Sequence, residues 1–326
     1  MKIQLIALLA ATLIPALSQE AFKPEPIMPG GEIIPLYPPD SPFLNKTRIS
    51  EPEKYNSTFD KKPDHIVNVL NVHNPSIEVH LVPDDAKNTG TFIILAPGGG
   101  HKILGVAAEG AAWVSHFSKM GISTAILRNR LRVDGYEPTT DATYDAQQAI
   151  RIVRANAAKW KTNPKKIGII GFSAGAELVT CAALSFGEFE KNNSSSKDPL
   201  AGISARPDFI GVIYPGPSPF ARETNTKIPA NVPPSFTTCS GVTDKVHAVW
   251  ANEWFSAMLN AGVPNSEIHI YARGSHGGAK RGPEEIPFAS WPDRFTQWLG
   301  DLGFLEKSDE ETRAAKDSEA FAKTQN

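Results

Sequence analysis

Cysteine is nearly absent: the chain carries 2 in 326 residues, Cys181 and Cys239, too few for a disulfide-built small fold or a thiolate metal centre. One bridge is the most such a pair could make in an oxidising compartment. Both lie in apolar runs, Cys181 on a helix-like stretch and Cys239 in a strand-like one, and both read as unpaired buried thiols. Excess charge of one sign is missing too. Lys and Arg number 33 against 35 Asp and Glu, a formal net charge of −2, and the basic runs at 128–132 and 159–166 are short and interrupted. No stripe exists to neutralise phosphates, so no nucleic-acid partner is expected. The glycine run at 98–100 lacks the following Lys-Ser/Thr of a phosphate loop, and no Cys/His group has metal-ligand spacing. No cofactor and no metal are expected.

Long apolar runs are also scarce. The longest, Ile3 to Ile14, follows Lys2 and precedes Pro15 and Ala16-Leu17-Ser18, which is the pattern of an export signal with small residues before its cleavage point. It is shorter than the ~20 residues a membrane helix needs, and nothing later comes closer. Residues 1–18 are therefore expected to be a signal peptide, and the mature chain a soluble, exported protein, periplasmic or extracellular, beginning at Gln19. Residues 19–65 hold Pro24, Pro26, Pro29, Pro35, Pro38, Pro39 and Pro42 and read as an extended arm across the next domain. The charged stretch 306–326 has little apolar content and reads as a polar tail, a frayed helix or disordered.

Between these ends, regular periods set in. Ile66 to Val69 and Ile77 to Leu81 alternate as an antiparallel hairpin-like pair. Strand-like runs at 91–96, 122–127, 167–170, 209–214, 235–239 and 267–271 then alternate with helix-like ones at 109–119, 140–160, 175–186, 246–261 and 290–300. This alternation predicts an α/β fold, a mostly parallel central sheet with helices on both faces, over residues 66–305. Ligands of such sheets bind at the carboxyl ends of the strands. The stretch 187–206 interrupts the alternation and is too polar for a substrate lid, so no large cap domain is expected.

The most informative stretch is Gly171-Phe172-Ser173-Ala174-Gly175. It follows an apolar strand and opens directly into a helix, the setting of a nucleophile elbow, in which flanking glycines free a sharp turn from Cβ clashes. The partners this chemistry needs follow in chain order. Asp244 sits on the loop leaving the strand at 235–239, and His276 on a glycine-rich loop after the last strand. Upstream, a buried strand ends in Pro97-Gly98-Gly99-Gly100-His101, whose backbone N–H groups suit an oxyanion. Rivals fit less well. His269 lies mid-strand and reads as structural, and Asp208 precedes its strand and so lies at the wrong sheet edge. His101 and His247 are within reach of the site but not on the loop after the last strand.

These motifs, together with Asp145 to Arg151, Ser204 to Phe209, Thr243 to Val246 and Ser275 to Gly277, resemble a family of bacterial α/β-hydrolase esterases related to the hormone-sensitive-lipase-like carboxylesterases. Some members are acetyl or acetylxylan esterases. The resemblance spans about residues 66 to 300. It implies a serine carboxylesterase acting on small acyl esters or acetylated carbohydrates, with Ser173 as nucleophile, His276 as base and Asp244 as acid. The N–H groups of Gly99, Gly100 and Ala174 would form the oxyanion hole. Pro97 replaces the histidine of many lipases, and His101 stands where relatives often carry tyrosine; His101 is read as a substrate-facing rim residue. A prolyl-oligopeptidase-type peptidase shares this core but needs a propeller-sized domain that is missing here. A glycan-associated module with a vestigial site is the remaining alternative.

Overall fold

The computed structural model describes residues 20–57, 66–83, 86–194, 198–223, 225–277, 286–307 and 310–325; the expected signal peptide lies outside them. In chain order the strands are β1 (Glu32–Pro35), β2 (Lys54–Ser57), β3 (Ile66–Leu70), β4 (Ser76–His80), β5 (Phe92–Ala96), β6 (Ser123–Arg128), β7 (Ile167–Phe172), β8 (Phe209–Ile213), β9 (Ser235–Ser240) and β10 (Glu267–Tyr271). The α-helices are α1 (Ala112–Lys119), α2 (Thr143–Ala155), α3 (Ala174–Asn192), α4 (Pro219–Arg222), α5 (Lys245–Asn260), α6 (Trp291–Asp301) and α7 (Arg313–Thr324). Eight strands form one sheet in the order β1-β4-β6-β5-β7-β8-β9-β10. It is parallel from β6 to β10, with β4 and β1 added antiparallel at one side.

Burial on both faces explains why the central strands read as unbroken apolar runs. Along β5, Ile93 and Leu95 face one way, into a cluster with Trp113 and Phe117 of α1 and Trp291, Phe295 and Trp298 of α6. Phe92, Ile94 and Ala96 face the other way, onto Ala149 and Val153 of α2, Val179 and Ala183 of α3 and Trp254 of α5. The two-residue period of a strand thus feeds two cores from one sequence run. Among the described residues, no helix is long and apolar enough to cross a membrane.

Two expectations are corrected. β3 and β4 do not form a hairpin. β4 lies between β1 and β6, so both its edges are taken, while β3 pairs with β2 in a separate two-stranded sheet and bridges to Leu104. The stretch after 306 is not loose throughout, because residues 313–324 form a docked helix. Thr312 caps it by accepting the Ala315 N–H at 3.2 Å, Ala314 is buried and Phe321 packs against the core. A capping hydroxyl and a single apolar stripe suffice to dock a helix whose composition is otherwise polar. Cys181 and Cys239 are both free.

Glu53 lies buried 3.8 Å from the Arg128 guanidinium, and Arg128 has a second carboxylate partner in Glu78 at 3.2 Å. Burial pushes the Glu53 carboxyl up to about 6, against the opposing pull of Arg128. The folded-state value lies above the unfolded one. Below the unfolded value both states are protonated and folding carries no penalty; as pH rises through about 6 the folded state must ionise a buried acid. Glu53→Gln should therefore stabilise the protein by about 2 kcal/mol at pH ~8 and by almost nothing at pH ~4. Urea unfolding at the two pH values checks this, and an equal effect at both would reject it.

Candidate active site

Ser173 joins β7 to α3 with φ 53° and ψ −118°, a conformation that a side-chain-bearing residue adopts only under constraint. The constraint is visible in its neighbours. A Cβ at Gly171 would lie 2.4 Å from the Gly175 carbonyl oxygen, and one at Gly175 only 2.0 Å from that of Ala96. The turn can close only because both are glycine. The Ser173 N–H donates to the Ile213 carbonyl at 3.0 Å, extending the β7–β8 pairing, and its own carbonyl accepts from Gly216 at 2.9 Å.

The structure brings the three side chains singled out from the sequence into one line. Ser173 Oγ lies 2.9 Å from His276 Nε2, and His276 Nδ1 lies 3.0 Å from Asp244 Oδ2. His276 follows β10; Asp244 ends the short 3-10 turn Val242–Asp244 after β9. Both arrive at the carboxyl edge of the sheet, where Ser173 also stands. Asp244 is nearly buried while the His276 side chain is 39% exposed, so the carboxylate is shielded and the imidazole is reachable. The ring of Tyr214 packs edge-on against His276 at 4.9 Å. A hydroxyl bonded to one ring nitrogen, with a carboxylate on the other, is the arrangement that lets an imidazole accept a hydroxyl proton and bear the resulting charge.

The glycine loop abuts this line. A Cβ on Gly98 would come 2.8 Å from Ser173 Cβ, and one on Gly99 would come 2.3 Å from the Ile103 carbonyl oxygen. Glu109 braces the loop: one carboxylate oxygen accepts the Gly98 N–H at 2.7 Å, and the other accepts the Tyr214 hydroxyl at 2.9 Å. Burial and that carboxylate push the Tyr214 phenol well above its ordinary value, so it stays a donor. The Ala174 N–H belongs to the first turn of α3, where helix amides have no intrahelical acceptor. Among the described residues, the N–H groups of Gly99 and Gly100 donate to no backbone carbonyl. The Ala174 amide thus adjoins Ser173, and the Gly99 and Gly100 amides belong to the loop whose Gly98 abuts it.

His101, read from the sequence as a substrate-facing rim residue, is drawn into the protein. It is 5% exposed, and its Nε2 lies 2.9 Å from Glu177 Oε2, whose other oxygen is held by Arg222. A buried glutamate one helical turn after Ser173 draws the ring inward. The rivals sit where the sequence put them. His269 Nε2 bonds Glu267 at 2.6 Å within β10. Asp208 accepts the Ile167 N–H at 2.9 Å, at the far end of β7 from Ser173.

His247, which the sequence put within reach of the site without a role there, joins it through Asp244. Its Nδ1 lies 2.6 Å from Asp244 Oδ1, and its ring stacks on His276 with centroids 3.8 Å apart and planes at 25°. Burial lowers its affinity for a proton, with Asp244 opposing and His276 adding to the effect. The signal was present: residues spaced i,i+3 share a helix face, and α5 begins at Lys245.

Residues 78–214 match the BD-FAE family model. An acetylxylan esterase of Xylanibacter ruminicola is 31% identical over 235 residues, 68% of this chain and 46% of that protein. The endo-1,4-beta-xylanase B of Butyrivibrio fibrisolvens is 30% identical over 142 residues, 43% of this chain and 21% of that one. The chain thus spans less than half the length of either relative. Among solved structures, the acetyl ester-xyloside bifunctional hydrolase of Caldicellulosiruptor lactoaceticus superimposes with a TM-score of 0.65 at 23% identity, over 84% of this chain and 97% of that one. Thermogutta terrifontis esterase 2 does so with a TM-score of 0.63 at 20% identity, over 87% and 97%. Both superpositions show a common fold with this chain. The ordered strands and the superpositions show an α/β-hydrolase fold, and this chain is similar over 235 residues to a bacterial acetylxylan esterase and over residues 78–214 to the BD-FAE family model.

Proposed function

We propose that the chain is an exported serine carboxylesterase that removes short acyl groups, acetyl above all, from polysaccharides such as xylan. The observation that carries this reading is the unbroken hydrogen-bonded line Ser173, His276, Asp244 at 2.9 and 3.0 Å. In the proposed reaction His276 Nε2 takes the Ser173 Oγ proton as the oxygen attacks the ester carbonyl. Asp244 holds the ring in the accepting tautomer and stabilises it once charged. The N–H groups of Gly99, Gly100 and Ala174 bind the tetrahedral oxyanion. His276 then protonates the leaving alcohol, and water activated by the same ring releases the acid from Ser173. Support for the carbohydrate alcohol comes from the acetylxylan esterase relative. Export is proposed from the amino-terminal residues 1–18, with cleavage before Gln19. Acetate release from acetylated xylan, measured beside a panel of p-nitrophenyl esters and peptide anilides, tests the reading. Hydrolysis confined to anilides would replace it with a peptidase.

The acyl group is expected to be short. A chain gains ~0.8 kcal/mol per buried CH₂ only where apolar wall receives it. Phe172 and Tyr214 are almost fully buried in the core and Phe220 packs on Trp254, which leaves Trp250, edge-on to His247 with ring centroids 5.3 Å apart, as the partly exposed aromatic beside the site, a short wall for an acyl chain. Measured kcat/KM across an acyl series should be highest for acetyl or propionyl. An optimum at octanoyl or longer would overturn this expectation.

A further inference from the structure

Among the described residues, one group of side chains has the geometry to hold a metal ion: Asp244, His247 and His276, each offering one ligand atom within 4.8 Å of the others. The sequence conceals it, because His276 comes from a different loop and no ligand spacing is recognisable. The two imidazoles stack 3.8 Å apart and turn their Nδ1 atoms toward opposite oxygens of one carboxylate, at 2.6 and 3.0 Å. Tetrahedral zinc with nitrogen and oxygen ligands at 2.0–2.2 Å separates those ligands by about 3.3 Å. A dication in place of the two bridging protons therefore requires the two Nδ1–oxygen pairs to open by about 0.7 and 0.3 Å. The His247 and His276 side chains are 23% and 39% exposed, so an ion reaches the cluster from solvent. Two imidazoles and one carboxylate leave a fourth position for water.

We propose that Asp244, His247 and His276 bind a borderline transition-metal dication, Zn²⁺ above all, and that its occupancy switches hydrolysis off reversibly. The switching half rests on the catalytic reading above; the binding half does not. A neutral imidazole has one lone pair and one N–H. When the metal takes the Nδ1 lone pair of His276, the proton that sat there moves through water to Nε2, the nitrogen facing Ser173 Oγ. The ring stays neutral and no net proton is lost, but Nε2 is now a donor and accepts nothing from the serine. Asp244 is drawn to the metal at the same time. His247 undergoes the same tautomer change without touching the serine, so its part is to supply the third ligand. Hard cations such as Mg²⁺ prefer oxygen donors and water to imidazole and should leave the enzyme running.

The test uses the exported chain without its first 18 residues. Calorimetric titration of Ser173→Ala with ZnCl₂, which keeps the ligand set intact, should show one ion per chain. Adding His247→Gln should weaken it roughly tenfold or more. Co²⁺ in the same Ser173→Ala protein should give the visible absorption of tetrahedral nitrogen and oxygen coordination, a reading that needs no second variant to fold. In the unmodified enzyme, Zn²⁺ should abolish p-nitrophenyl acetate hydrolysis, EDTA should restore it, and MgCl₂ should do neither. His247→Gln, judged against its own uninhibited rate, should need roughly tenfold more Zn²⁺ or beyond. Absent binding to Ser173→Ala, or binding that His247→Gln leaves unchanged, overturns the site. Binding without inhibition overturns the switch. Binding to a chain that hydrolyses no ester at all would uphold the site and reject the esterase reading instead.

Discussion

Replacing Ser173 or His276 with alanine is expected to lower kcat for p-nitrophenyl acetate by about 10⁶ while leaving the melting temperature nearly unchanged, with Asp244→Asn milder at about 10⁴. The effects are large because the residues act as one unit. Without Ser173 Oγ there is no nucleophile, and without His276 the hydroxyl keeps its proton. The Asp244 change leaves an amide beside Nδ1 and so favours the wrong tautomer of a ring that is still in place. Stability should hold because neither Oγ nor the partly exposed His276 ring fills the two cores. Single-turnover kinetics and thermal melts on the three variants check this. Full activity in Ser173→Ala would remove the nucleophile assignment, and with it the proposed reaction.

Gly175→Ala is expected to destabilise the fold by about 3 kcal/mol or more, although it adds a single methyl. That methyl would lie 2.0 Å from the Ala96 carbonyl oxygen and 2.8 Å from that of Pro97. Both are backbone atoms at the end of β5, held between β6 and β7, so they cannot swing aside as a long side chain would. Gly187 provides the contrast within the same helix. Nothing lies within 4 Å of a Cβ there, and Gly187→Ala should gain ~0.5–1 kcal/mol by removing backbone freedom from the unfolded chain. Urea denaturation of the pair measures both. Equal midpoints would mean that the elbow yields where the geometry says it is rigid.

The parallel half of the fold was legible because most of its strands are short apolar runs followed by a turn residue and then a helical period, and such signals are local. Ser173, Asp244 and His276 were legible for the same reason, each lying just beyond a strand whose carboxyl end faces the site. What was hidden depended on distant partners. Nothing within residues 66–81 reveals that β4 would be flanked by Glu32–Pro35 and Ser123–Arg128, and adjacency in sequence favoured a hairpin that does not exist. His101 looked like a rim residue because its attractor, Glu177, is 76 positions away. The docked helix at 313–324 hides behind a polar composition, since a few buried side chains and one cap decide it. His247 was readable only once Asp244 was placed at the head of α5.

The proline-rich arm has a consequence beyond covering the domain. β4 is almost wholly buried, and it would be the outermost strand of the sheet if β1 were absent. β1 occupies that position with four residues ending in Pro35, and proline has no amide to offer a further strand. The segment before it is pinned by the buried Glu78, which accepts the Ile27 and Met28 N–H groups at 2.5 and 2.9 Å. A molecule trimmed by a protease past residue 36 would present the backbone edge of Ser76 to His80 as an open template for other chains. The arm thus acts as a built-in guard against edge-to-edge aggregation, and a cut in it would be felt first as lost solubility.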